Sequence, residues 1–166
     1  MPFFIGAIMG ISVKDVRRFN AVQIISKIDD AIDHEASDWE KYEDDPIGNM
    51  DALKFLPNKK PTIFLCNFEL SAKDDAKIQD AMFGGIDEDK NPKPAFGNWA
   101  LAVAKYTLKA IENPPETNDP ILFKTDAKKA VSDETLNILQ KAGIIQEIFN
   151  HYIKLTKTEV GQNAKK

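Results

Sequence analysis

The sequence predicts an α+β protein: a small, mostly antiparallel sheet with about four or five helices packed on it. Three observations lead there. The run from Thr62 to Leu70 is rich in apolar, β-branched and aromatic residues and has the length of a strand. Ser71 and Ser132 each stand directly before helix-favouring residues and read as N-caps. Near the C-terminus Ile144, Ile145, Ile148, Phe149, Tyr152 and Leu155 recur as a broad apolar stripe on one helical face.

At 166 residues the chain can bury a real core, and 43% hydrophobic residues including ten Phe support a globular fold. We divide it into an apolar arm or docking segment over residues 1–18 and a single α+β domain over 19–166. The arm, from Met1 to Ile11, is too short for a bilayer, which needs about 20 apolar residues. Its first lysine, Lys14, follows the apolar run, unlike the charge order of a signal peptide. Phe3, Phe4 and Ile5 pack on the core or dock on a partner. Ser12, with Asp15 three residues on, has the form of a capping box.

Residues Phe19 to Ile28 alternate around Val22, Ile24 and Ile28 and read as a strand. An acidic loop follows at 29–45, with nine carboxylates in seventeen residues. Such a run repels itself and is expected to be solvated, to bind cations or to face a basic partner. Trp39 and Tyr42 within it anchor the loop to the core or offer a contact surface. Asn58-Lys59-Lys60 form a turn between Pro57 and Pro61, and these lysines with Pro61 suit the entrance of an edge strand. That strand is Thr62–Leu70.

Helix Ala72–Phe83 follows, with Ala76, Ile78 or Gln79, Ala81 and Met82 near its inner face and Gly84-Gly85 ending it. Residues 84–97 read as a loop. A second helix is expected from Asn98 to Glu112, closed by Asn113-Pro114-Pro115. Ile121–Lys124 reads as a short strand, and Ser132 caps a helix over Asp133–Lys141. Gly143 separates this from the last amphipathic helix, and Thr156 with Glu159 forms another capping box.

Chemistry leaves few marks on the chain. A net charge of −4 and a pI near 5.3 argue against specific nucleic-acid binding. The single cysteine, Cys66, has no internal disulfide partner and lies in an apolar run, the setting of a buried, inert thiol. His34 sits in the acidic loop, and His151 is expected on the exposed side of the last helix, so neither is placed beside a nucleophile. No phosphate-binding, dinucleotide or zinc motif occurs. Asp87-x-Asp89-x-Asn91 opens like a calcium loop, but Pro92 stands where glycine is needed and Asn98 where a bidentate glutamate is needed. We expect no catalytic, cofactor-binding or metal-binding residue, although any two of the 26 acids can converge in space.

The order of parts carries a resemblance. Pro61-Thr62-Ile63-Phe64-Leu65 running into Phe68-Glu69-Leu70-Ser71-Ala72-Lys73-Asp74 resembles small morphogenesis proteins of tailed bacteriophages. In these a Phe-x-Leu strand precedes a Leu-(Ser/Thr)-x-(Arg/Lys)-(Glu/Asp) helix start. Val131–Leu136, Ile145–Asn150 and the tail Leu155-Thr156-Lys157-Thr158-Glu159-Val160 are similar to their C-terminal half. By order of elements the likeness runs from about Ser26 to Val160. The family's Arg-Pro-Leu junction is replaced by Asn67-Phe68-Glu69-Leu70, and the arm lies outside the pattern.

The resemblance implies a non-enzymatic tail assembly chaperone acting through protein–protein contacts. A virion-resident tail or head–tail connector component forming a symmetric oligomer is the alternative, and a small soluble enzyme with convergent carboxylates the third. Implied partners are other phage structural proteins or copies of itself, with no membrane span. The implied location is the host cytoplasm during assembly, or the virion. Contact candidates are Phe3, Phe4, Ile5, Trp39, Tyr42, Phe149 and Tyr152, each with a core role equally open.

Overall fold

A computed structural model of the protein describes residues 18–128 and 130–164. The expectations for Ser12 with Asp15, and for Phe3, Phe4 and Ile5, lie outside these residues. The described chain is α+β, with five α-helices and two small antiparallel sheets.

Strand β1 (Val22–Ile24) emerges from a 3-10 turn at Arg18–Ala21. It is shorter than its alternating pattern, because the chain turns after it, with the Asp29 amide donating to the Ser26 carbonyl. Strand β2 (Ile63–Cys66) pairs with β1 through Val22↔Cys66 and Ile24↔Phe64. Its other side pairs with Leu108–Glu112, numbered β5 below, so β2 is the central strand and not the expected edge. The lysines and Pro61 stand before the strand and do not protect its flank. The pleat divides its side chains: Phe64 and Cys66 enter the main core, and Ile63 packs toward a second, smaller one.

The acidic segment is ordered by its own carboxylates. Asp29, Asp33 and Asp45 each accept local backbone amides in turns, at 2.9 to 3.2 Å. Asp38 caps helix α1 (Trp39–Asp44), its Oδ1 accepting the Lys41 amide at 3.0 Å. A turn of 3-10 helix at Met50–Ala52 follows. The segment closes around a small core of Ile25, Ile32, Tyr42, Ala52 and Leu53, where the sequence suggested a solvated loop.

Helix α2 (Ala72–Asp80) starts as expected, with Ser71 Oγ accepting the Asp74 amide at 3.1 Å. The glycines beyond it do not begin a loop. They lie in strand β3 (Phe83–Ile86), which forms a hairpin with β4 (Pro92–Pro94). Asp87 Oδ1 holds that turn by accepting the amides of Asp89 and Asn91 at 3.0 and 2.8 Å. This backbone capping accounts for the aspartate that resembles a calcium-loop start.

Helix α3 (Phe96–Thr107) ends five residues before the expected stop, and β5 (Leu108–Glu112) takes those residues. Helical spacing persists locally, but the free side of β2 offers a whole row of hydrogen bonds to this segment. Residues 121–124 form a turn instead of a strand, with Phe123 at φ 62° and the Lys124 amide donating to the Ile121 carbonyl. Helix α4 (Asp133–Lys141) is capped by Ser132 and followed by Gly143 at φ 79°. Helix α5 (Ile144–Ala164) runs through the second proposed capping box. There the Thr156 hydroxyl donates to the Tyr152 carbonyl at 2.6 Å, one turn back within the helix.

The main core lies between the sheet and the helices, joining Val22 and Phe64 to Val103, Leu136, Leu139 and Ile148. No described helix is long and apolar enough to cross a membrane.

Candidate functional site

Four of the seven contact candidates are described, and three of those are core residues. Tyr42 is wholly buried, its hydroxyl accepting the Ile25 amide at 3.1 Å. Phe149 meets Trp99 edge to face at 4.8 Å between ring centroids, and Tyr152 meets Phe68 at 5.5 Å. For these residues the packing role is the one the fold realises. Trp39 is half-buried, stacks on His34 at 6.1 Å and meets the Tyr42 edge at 5.5 Å.

His151 is buried, contrary to its expected exposed position. The cause is tertiary: Tyr42 of the acidic segment packs across α5, its ring 5.8 Å from the imidazole. A cleft of about 220 Å³ opens there between α1 and α5, with Trp39, Glu43, Glu147 and His151 in its lining. Lys27 and Lys154 stand at the same cleft.

Burial dominates the electrostatics of this region. It depresses the His151 pKa from 6.5 to about 4, so the imidazole is neutral at neutral pH. It also raises the Glu147 carboxyl above its usual range, against the opposing hydrogen bonds from Ser26 and Lys27. Glu147 Oε1 accepts the Ser26 hydroxyl at 2.9 Å, and Oε2 accepts the Lys27 amide at 3.1 Å. Glu147 and His151 sit one turn apart on α5. A perturbed carboxyl and imidazole in a cleft is an arrangement compatible with proton transfer, but both oxygens of Glu147 are engaged in holding β1's end to α5.

Nearby, Cys66 is buried and its thiol is pushed up to about 12 by desolvation, consistent with the inert role read from sequence. Among the described residues no group of three or more His, Cys, Asp or Glu converges as a metal site.

Two surface features were not foreseen. One is a groove of about 690 Å³ beyond the end of the sheet, with Phe64 and Thr62 on one side and Ile138 and Leu139 of α4 on another. It gathers residues from five sequence regions, so no local spacing could reveal it. The other is the β3–β4 hairpin, whose Phe83 and Ile86 are 52% and 72% exposed, with Phe96 beyond it at 64%. The available signal is the apolar Ile86 and Phe96 within the Gly- and Pro-rich stretch expected as a loop, next to Phe83 at the expected helix end. Phe83 and Trp99 line one shallow cavity of about 320 Å³, and Phe96 lies 6.3 Å from Trp99 between ring centroids.

The fold and its surfaces therefore define a small α+β protein with a cleft at His151, a larger groove beyond the sheet and an apolar hairpin among the described residues. Comparison with known proteins found no matching family model, no matching curated protein and no matching solved structure.

Proposed function

We propose that the protein is a non-enzymatic phage morphogenesis factor that acts through protein–protein contacts, in the manner of a tail assembly chaperone. The observation that carries this reading is the exposed apolar surface around the hairpin. Three of the eight large hydrophobic residues left exposed among the described ones, Phe83, Ile86 and Phe96, fall within fourteen residues of chain. Trp99 shares a cavity lining with Phe83 and lies 6.3 Å from Phe96 between ring centroids. A concentration of exposed apolar side chains is the mark of a surface that another protein covers.

The hairpin also suits transient capture. Both its strands are exposed throughout and form their own two-stranded sheet, apart from the central one. Pro92 and Pro94 supply no amide hydrogens, which limits pairing of β4 with further strands. Side-chain contacts then provide the attraction, without a continuous β-sheet that would make the complex hard to release.

The test is co-expression with an aggregation-prone tail component, reading its soluble fraction. The wild type should raise that fraction, and Phe83→Asp with Phe96→Asp should lose the effect while remaining folded by circular dichroism. No rise with the wild type would sink the chaperone reading. Light scattering over a dilution series decides its rival: a closed oligomer that survives dilution would replace the chaperone with a virion component.

A further inference from the structure

We propose that the groove beyond the sheet is a second binding site, and that it takes a peptide segment carrying an apolar side chain beside lysine or arginine. The inference rests on the reading of the protein as one that works by contacts, and it adds a different surface and a defined ligand chemistry.

The groove is large. At about 690 Å³ it is the volume of sites that enclose several side chains. Its lining includes an apolar set of buried Phe64 and Leu139 with half-buried Phe123. In the same lining Ile28 and Ile138 remain 64% and 39% exposed, so aliphatic surface continues outward from this set. An apolar ligand group therefore has both a seat and an entrance.

Its polar lining is dominated by acceptors. Asp29, Asp30 and Glu116 contribute three carboxylates against the single ammonium of Lys60. Asp29 is fixed in place, accepting the amides of Ala31 and Thr62 at 2.9 and 2.7 Å. Those donors are neutral, so its charge remains in the wall. Asp30 pairs with Lys59 at 3.2 Å, but its side chain is 88% exposed, where such a pair is weak. Pro114 and Pro115 complete the wall and have no amide hydrogen, leaving only carbonyl acceptors there.

This wall is pre-formed. The Thr62 hydroxyl donates to the Asn113 carbonyl at 2.8 Å, and Asn113 Nδ2 donates to the Pro61 carbonyl at 3.1 Å. The two bonds tie the proline segment to the entrance of β2, so little ordering is required when a ligand binds. An acceptor-rich rim beside an apolar lining selects a donor-rich, positively charged and apolar occupant. An acidic segment meets repulsion at the same rim.

The experiment titrates the full-length, isotope-labelled protein with a short synthetic peptide bearing leucine and phenylalanine between arginines. Its counterpart carries glutamates in place of the arginines. The expected result is saturable binding of the arginine peptide, with amide shifts concentrated at Ile28, Thr62, Asn113 and Ile138. Glu116→Lys, a change at an exposed side chain, should weaken it about fivefold, and Ile138→Asp should abolish it with the fold intact. Equal binding of both peptides, or shifts that centre on Phe83 and Phe96, overturns the proposal. So does equal affinity for hexylamine, which would make the groove a small-amine site. Failure here with hairpin-dependent solubilisation retained removes the groove alone; loss of both removes the contact reading itself.

Discussion

The side chains of Ser26 and Glu147 meet at 2.9 Å across 121 positions of sequence. With the Lys27 amide at 3.1 Å, this contact fastens the end of the strand that begins the described sheet to the first turn of α5. Glu147→Ala leaves the nearly buried Ser26 hydroxyl without that acceptor. We expect a loss of about 1–3 kcal/mol in urea unfolding at neutral pH. A change under about 0.5 kcal/mol would show that the contact only decorates the joint.

Tyr42→Phe isolates a second fastening. The ring and its packing remain, but the buried Ile25 amide loses the phenolic oxygen it donates to. The expected destabilisation is about 1–3 kcal/mol, with no change in the denaturant dependence of unfolding. A neutral result would mean that water reaches that amide.

Acid should loosen the fold through His151. The unfolded imidazole takes a proton near pH 6.5, whereas the folded one resists until about 4. The unfolded state thus binds more protons in that window, and stability falls as pH drops through it, by at most about 3 kcal/mol. Glu147 acts oppositely: its raised folded pKa means stability increases as pH falls toward 4.5. Around them lie Lys27, Glu43, Lys154 and Tyr42, of which Glu43 favours and Lys154 disfavours the imidazolium. His151→Leu should remove the loss below pH 6.5 and leave the opposite trend of Glu147. Unfolding midpoints measured across the window decide it, and an unchanged acid profile would refute the assignment.

At alkaline pH the sign reverses in origin. Cys66 and Tyr42 ionise at 9.0 and 10.0 when exposed, but both are pushed up to about 12 by burial. Their contribution to stability is full below pH 9.0 and declines at higher pH, as the unfolded chain releases these protons first. Correspondingly, Cys66 should react with an aromatic disulfide reagent only as fast as the protein opens. Rapid labelling of the folded protein would contradict its burial.

Gly143→Ala tests the hinge between α4 and α5. No atom lies within 4 Å of the added methyl, so the cost comes from φ 79° alone. About 1 kcal/mol is expected, read by thermal or urea unfolding. A stabilised variant would mean that the joint can relax to a right-handed conformation.

Much of this protein is determined by residues close together in the chain. Ser71 and Ser132 start their helices because each hydroxyl accepts an amide three residues on. Gly143 ends one helix run, and the Ile144–Leu155 stripe lies buried as its spacing required. The inert setting of Cys66 was likewise readable from its apolar neighbours. These signals act within a turn or a strand, so the sequence carries them in full.

What only the tertiary structure decided depends on partners far away. Residues 108–112 carry helical spacing, yet β2 recruits them because pairing satisfies a whole row of backbone groups. β2 itself becomes central once both sides are taken. His151 is buried because Tyr42 arrives from more than a hundred residues away to cover it. The groove and the Ser26–Glu147 contact join segments that share no local pattern. Local hydrogen bonds and side-chain spacing write themselves into short stretches of sequence; strand pairing and burial are settled between stretches, where only the folded chain brings the partners together.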